Sequence, residues 1–365
     1  MRRIGIDARK LGDGGIGRYV EELLQRLPAL APDDDFVVLA RARDLRGARR
    51  LPRRVGIVPV RAAGYSLAEH VEIARVARRE ELDLLHVPHY VLPRGVGCPV
   101  VVTVHDLIHW RLPRSRLHAL YCRRMLASVR SRAQVVLTPS ESVARDLSEL
   151  AGFSRERVQV VPNGLSAGFD EEVDETFVRA FCRRLGLEGP YVLNVTNGLP
   201  HKGLEELLEA VAPIDGLALV LAGFGSSRPA VERRIRDSRI DPERVHVLGG
   251  VSERELGLAY RGARVVAVPS RLEGFGLPAL EAMAAGAPVV VTDAGGLPEV
   301  VGDAGTIVPA ESVASLRAAL YRIAFEIDPE ERESLIRRGR SRARLFSWER
   351  TARETLAAYE RALAE

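Results

Sequence analysis

The sequence predicts an α/β protein with two doubly wound parallel sheets, and three observations carry that prediction. Short β-branched runs recur along the chain, stretches with helical spacing lie between several of them, and the series starts afresh after an acidic interval near the middle. The 365 residues, 46% hydrophobic and 28% charged, suffice for two domains of about 100–200 residues each.

In the first half the runs are Ile4–Asp7, Phe36–Leu39, Val55–Pro59, Leu84–Pro88, Val100–Val104, Val135–Thr138 and Val158–Val161. Each reads as a buried strand of a parallel sheet. Ile16, Tyr19, Val20, Leu23, Leu24 and Leu27 recur at helical spacing, which places a helix after the first strand. In the second half the runs are Tyr191–Val195, Ala218–Ala222, Val245–Leu248, Val265–Pro269, Val289–Thr292 and Gly305–Val308. The joint is expected just after Val161-Pro162-Asn163-Gly164, before the acidic stretch Asp170 to Glu175, giving domains at residues 1–167 and 168–347. Ligands of open α/β sheets sit beyond the carboxyl ends of the strands, so the loops after the strands of both halves are expected to face a deep cleft.

Composition bounds the function classes. The opening Met1-Arg2-Arg3-Ile4-Gly5-Ile6-Asp7 meets an acid before any apolar segment, which predicts no secretory leader. Glu281 and Asp293 interrupt the most apolar region, so no stretch reaches the roughly 18 apolar residues of a membrane span. Cys98, Cys122 and Cys182 lie far apart, which argues against zinc or a disulfide framework and fits a reducing cytoplasm. Aromatics at 5% and the lack of a recognition motif argue against nucleic acid as a partner. The net charge is only +4, and its cations are almost all arginine; Lys10 and Lys202 are the two lysines. A lysine in a glycine-rich loop of such a chain points to a need for a compact charge, chance retention being the other reading.

Four segments carry candidate chemistry. Pro269-Ser270-Arg271-Leu272-Glu273-Gly274-Phe275-Gly276-Leu277-Pro278 follows a strand, with Pro278 suited to the first helical position and Gly286 to the C-cap. Backbone amides of Gly274, Phe275, Gly276 and Leu277 would meet an anion such as a diphosphate at the helix start. Glu273 is placed to bond sugar hydroxyls, and Glu281, on the helix's first turn, to accept both hydroxyls of a ribose. The spacing of these glutamates around a Gly-Phe-Gly turn resembles the family-4 retaining glycosyltransferases of the GT-B fold. The second segment, Asn194 to Leu204, carries Lys202, expected to neutralise a leaving diphosphate; where the family has an arginine five residues earlier, this chain has Asn197, beside Gly198.

The third is the loop Gly12-Asp13-Gly14-Gly15-Ile16-Gly17-Arg18-Tyr19, whose Gly15 and Gly17 would let backbone approach a phosphate or an acceptor. The fourth is the apolar strand ending in His105-Asp106. The resemblance implies that His105 bonds a donor-sugar hydroxyl; a core histidine satisfied by Asp106 is the alternative. Pro88-His89-Tyr90 resembles the acceptor side of mannosyltransferase-like members. Gly223-Phe224-Gly225 and the main chain around Leu248 round out the match, with Asp293 bordering the sugar, and a final helix, residues 348–365, is expected to pack back onto the first domain around Trp348.

The resemblance implies a metal-independent, retaining hexosyl transfer with His105, Glu273 and Lys202 as the catalytic set. Gly15, Gly17, Asn197, Gly198, Gly223, Leu248, the Gly274–Leu277 turn and Glu281 would bind the donor, and His89, Tyr90 and Asp106 the acceptor. It favours GDP-mannose, with a UDP-sugar open, and a glycan, lipid-linked or small-molecule acceptor. A nucleotide-sugar epimerase, a phosphorylase or a non-catalytic nucleotide-sugar-binding protein stands as the alternative. Residues 111–132 are basic without acids and interleave Leu117, Leu120, Tyr121, Met125 and Leu126, which reads either as a solvated face or as a peripheral contact at the inner face of a membrane. Arg41 to Arg54 forms a second basic stretch, with Asp44 as its one acid.

Overall fold

The computed structural model describes residues 1–44, 51–223 and 227–364. The chain divides into two compact units, Met1–Gly164 with Ser347–Glu365, and Leu165–Phe346.

Every expected strand is present, each end within one residue of its expected place. The first unit holds β1 (Arg3–Asp7), β2 (Asp35–Ala40), β3 (Gly56–Pro59), β4 (Leu84–Val87), β5 (Val100–Thr103), β6 (Val135–Thr138) and β7 (Val158–Val160). They form one sheet in the order β3-β2-β1-β4-β5-β6-β7, and the pairings are parallel. The second unit holds β8 (Tyr191–Val195), β9 (Ala218–Ala222), β10 (Val245–Gly249), β11 (Val265–Val268), β12 (Val289–Thr292) and β13 (Thr306–Val308), in the order β10-β9-β8-β11-β12-β13, again parallel. In each unit the order reverses beside its first strand, the switch point at which ligands of doubly wound sheets collect. Both sheets are the Rossmann-like halves of the GT-B architecture.

The continuous apolar runs follow from helices covering both faces, as the fully buried β4, β5, β11 and β12 show. The helix Gly14–Leu30 buries Tyr19, Val20, Leu23, Leu24 and Leu27, the stripe its spacing predicts. Each buried leucine is worth about 1.5–3 kcal/mol relative to exposure. Local chemistry sets the helix ends: Ser140 accepts from the Val143 amide, Ser252 and Glu255 form a capping box, and Gly152 closes a C-terminus in the left-handed region. The terminal helix Trp348–Ala364 lies within the first unit, with Trp348 buried at its start.

Candidate functional site

In the second unit the loops after β8, β11 and β12 converge. Lys202 ends a single 3-10 turn, Pro200–Lys202, and its Nζ lies 2.7 Å from Glu273 Oε2, with both side chains at least four-fifths buried. The Ser270 hydroxyl donates to the same carboxylate oxygen at 3.2 Å. These residues meet because two glycines permit backbone contact. A Cβ on Gly203 would stand 1.8 Å from the Pro269 carbonyl oxygen, and one on Gly295 would stand 1.8 Å from that of Glu273; both adopt positive φ. The Gly296 amide then donates to the Glu273 carbonyl at 3.0 Å, fixing the loop that carries the carboxylate.

The helix Leu277–Ala285 starts directly after this loop. Gly276 is its N-cap, so Pro278 occupies the second helical position rather than the first. The amides of Ala279 and Leu280 close on the Gly276 carbonyl, leaving the turn ahead of them as the helix's positive end. The expected place of Glu281 needs correction here. Because the helix begins at Leu277, one residue ahead of Pro278, Glu281 falls at its fifth position, just past the first turn, and is buried, with the Tyr260 hydroxyl donating to it at 2.9 Å. Phe275, expected to offer its backbone amide, is buried with its ring against Phe346, centroids 5.7 Å apart.

Asn197 is exposed, and its Oδ1 accepts from the Leu199 amide, a side-chain turn that shapes the loop. The Gly198 carbonyl accepts from the Arg234 guanidinium at 2.8 Å, and Arg234 is itself paired with Glu205. That brace lies 36 residues away in sequence, beyond any motif spacing, and sequence reasoning missed it. It also missed Arg271, which pairs with the largely buried Glu206 and whose amide donates to the His201 carbonyl. Gly223 joins strand ends through its amide to the Gly249 carbonyl, and Leu248 is half-buried on β10. Phe224 and Gly225 lie outside the described residues. Asp293 accepts from the Ala310 amide at 2.8 Å and so caps the end of β13.

In the first unit, His105 follows β5. One of its ring nitrogens bonds the Pro88 main chain; proline has no N–H, so that nitrogen must be the protonated donor to the carbonyl. Nε2 is left with a lone pair, buried and without a partner among the described residues. Burial, then the neighbouring His89, lowers the pKa of His105 to about 4, so the ring is neutral at pH 7. Asp106 turns toward its own chain, its Oδ1 accepting from the Ile108 amide at 2.9 Å.

His89 spends both nitrogens on the protein. Nδ1 accepts from the Val91 amide, so Nε2 carries the proton toward Asp7, 3.2 Å away. The Tyr90 hydroxyl bonds His109 Nδ1 at 2.7 Å beside Cys122. His89 and Tyr90 thus hold their own surroundings rather than presenting free polar atoms. A wholly buried ion group, absent from the sequence reading, lies behind them. Arg9 pairs with Asp7 at 2.5 Å and with Glu69 at 2.9 Å. Burial alone would raise the Asp7 carboxyl, but Arg9 and His89 hold it well below the usual range, whereas burial raises Glu69 despite Arg9. Gly15 lies in the first turn of the helix Gly14–Leu30; Gly17 is required by the loop itself, since a Cβ there would stand 2.4 Å from the Leu11 carbonyl oxygen.

Beyond β1 and β2 a cavity of about 490 Å³ is lined by Arg9, Lys10, Arg41 and Arg43 with Asp13 and Asp44. Lys10 Nζ pairs with Asp13 at 2.5 Å and lies 4.6 Å from the Tyr65 ring centre. Residues 45–50 of the second basic stretch lie outside the described residues. Along the helix Arg116–Arg132, Met125 and Leu126 are buried, contrary to their expected place on a membrane face, whereas Leu117 and Leu120, and Leu112 ahead of the helix, are exposed. Arg130 and Arg132 bond main-chain carbonyls and Arg111 pairs with Asp146. Among the described residues, no helix is long and apolar enough to cross a membrane, and no three His, Cys, Asp or Glu side chains form a metal-binding group.

Family models for "Glycosyltransferase Family 4" and "Glycosyl transferases group 1" match residues 13–168 and 183–342. A D-inositol 3-phosphate glycosyltransferase of Acidothermus cellulolyticus is 30% identical, covering 96% of this chain and 86% of its own. The O-antigen chain mannosyltransferase B of Escherichia coli is 27% identical over 95% and 96% of the two chains. Among solved structures, HepE of Anabaena in complex with UDP-glucose superposes with a TM-score of 0.79 at 19% identity, covering 98% of this chain and 100% of its own, a likeness of fold.

Proposed function

The chain belongs to the family-4 glycosyltransferases, and we propose that it moves a hexose, mannose by preference, from a nucleotide diphosphate sugar with retention of configuration. The observation that carries this reading is the Lys202–Glu273 pair at 2.7 Å, set immediately before the Gly276-capped helix. The helix end and Lys202 suit a diphosphate, whose charge grows as the glycosidic bond breaks. Glu273 suits the sugar hydroxyls, and Glu281, held by Tyr260, the ribose. The buried lone pair of His105 Nε2 suits a hydroxyl donor. Cation and helix dipole supply the electrostatic stabilisation, so the reaction needs no metal. Retention follows a front-face substitution in which a leaving phosphate oxygen takes the acceptor proton.

GDP-mannose is the favoured donor, supported by the relatives named as mannosyltransferases, with UDP-sugars the competing class. The cations of the first-unit cavity suit an acceptor bearing a phosphate, the kind of acceptor that several relatives are named for. Exposed Leu117 and Leu120 among Arg114, Arg116, Arg123 and Arg124 support a peripheral contact with an anionic membrane at its cytoplasmic face.

The test is thermal-shift screening of GDP-mannose, UDP-glucose and the free nucleotides, followed by nucleotide-release kinetics for the native chain and Glu273→Ala. Stabilisation by a nucleotide sugar and release of its nucleotide, abolished in Glu273→Ala, are expected. Interconversion of donor epimers without release would instead establish an epimerase, and binding without turnover a non-catalytic protein.

A further inference from the structure

The first unit contains a closed circuit of buried hydrogen bonds that begins and ends on the terminal helix. Tyr359 OH lies 2.7 Å from His86 Nδ1; His86 Nε2 lies 2.8 Å from Thr103 Oγ1; and Thr103 Oγ1 lies 3.0 Å from Tyr19 OH. Tyr19 bonds Thr355, whose hydroxyl donates to the Thr351 carbonyl at 2.7 Å.

Proton counting orients every bond. Thr355 gives its hydrogen to a carbonyl, so toward Tyr19 it accepts, and Tyr19 donates. Tyr19 must then accept from Thr103, so Thr103 has no hydrogen left for His86 and accepts from Nε2–H. His86 is neutral, its pKa lowered to about 3 chiefly by burial, so Nδ1 is unprotonated and Tyr359 donates to it. The circuit runs one way, from Tyr359 through His86, Thr103, Tyr19 and Thr355 to the Thr351 carbonyl, and no polar atom in it is left over. Such a satisfied network fixes one arrangement of its members.

Tyr19 is where this circuit meets the site. Its ring stands edge-on to the His105 ring, centroids 4.8 Å apart at 80°. His105 is also held by its bond to the Pro88 main chain, and its Nε2 faces no protein partner among the described residues. The geometry points to Tyr19 as a positioning residue for His105, locked by a hydrogen-bond circuit anchored on Tyr359 and Thr355 of the terminal helix. This role rests on the reading of His105 as a group that bonds substrate. The terminal helix thereby contributes to the reaction without touching a reacting atom.

The test combines histidine nitrogen NMR with kinetics on the full chain. Tyr359→Phe and Tyr19→Phe keep the rings and delete one hydroxyl each; Tyr19→Leu deletes the ring, and His105→Gln assigns the signals. The native His105 should show a pure Nδ1–H tautomer, and its two nitrogen shifts should move toward each other in Tyr19→Leu and, to a smaller extent, in both phenylalanine variants. kcat for nucleotide release should fall about 5–20-fold in the phenylalanine variants with donor KM within about 2-fold, and the double variant should be no worse than the poorer single one. Unmoved His105 shifts overturn the proposal, as does an unaltered kcat where the shifts have moved. A native chain that binds and turns over no nucleotide sugar overturns the function proposed above, while the nitrogen shifts still decide whether Tyr19 orients His105.

Discussion

Replacing Lys202 by methionine separates two roles that one ammonium group plays. In the folded chain its Nζ is 2.7 Å from Glu273, with side-chain exposures of 19% and 14%, so its removal leaves a mostly buried carboxylate held by the Ser270 hydroxyl. Breaking a fully buried pair costs about 3–5 kcal/mol; the residual exposure and the serine bond bring the expectation here to about 2 kcal/mol. For a unit of this size that corresponds to a fall in Tm of about 4–8 °C. The catalytic loss is larger, since removing one preorganised charge from a developing anion lowers kcat by about 10²–10³. The two effects part in the double variant Lys202→Met/Glu273→Gln, where no unpaired carboxylate remains. Calorimetry should show most of the lost Tm restored, and nucleotide-release assays should show kcat as low as in the single variant. A double variant no more stable than Lys202→Met would refute the pairing argument, and a single variant with kcat within about 3-fold of native would remove Lys202 from the leaving group.

Acid should weaken the first unit through His105 and His86, whose pKa values lie at about 4 and about 3, lowered from the ordinary 6.5 mainly by burial. The unfolded chain binds these protons first, so stability is complete above pH 6.5 and declines as pH falls toward 4, by about 1.4 kcal/mol per pH unit per histidine near pH 5. Urea titrations at a series of pH values should show His105→Gln shallower by about one proton. Gly203→Ala places a methyl against the Pro269 carbonyl at positive φ, so it should weaken nucleotide-sugar affinity at least about 10-fold by displacing the Lys202 turn, measured calorimetrically. Replacing Leu117 and Leu120 by serine should lower binding to phosphatidylglycerol vesicles at least about 10-fold, read by cosedimentation, without changing turnover of a soluble acceptor.

What sequence could foresee follows from the range over which each feature is specified. A strand covered on both faces must be apolar throughout, so β5 and β12 are visible as Val-Val-Val-Thr runs without knowledge of their neighbours. The helix after β11 is equally legible, because Gly276 and Gly286 supply the left-handed residues at its two ends. The surroundings of its side chains are not: with the start at Leu277, one residue ahead of Pro278, Glu281 lies just past the first turn, and nothing in the local segment shows that Tyr260 bonds its carboxylate there. Pairings set by sheet order are invisible in principle. Lys202 and Glu273 lie 71 residues apart and meet only because β8 and β11 are neighbours in their sheet. His86 and Tyr359 lie 273 residues apart, and neither type nor spacing marks them. Isolated histidines and tyrosines in apolar runs are ordinarily core residues, and these two are core residues; what gives them a bearing on the site is the orientation of each hydrogen bond between them and Tyr19. That orientation exists only once the fold has closed, which is why the positioning of His105 belongs to the assembled unit and not to the His105-Asp106 segment in which sequence reasoning first located it.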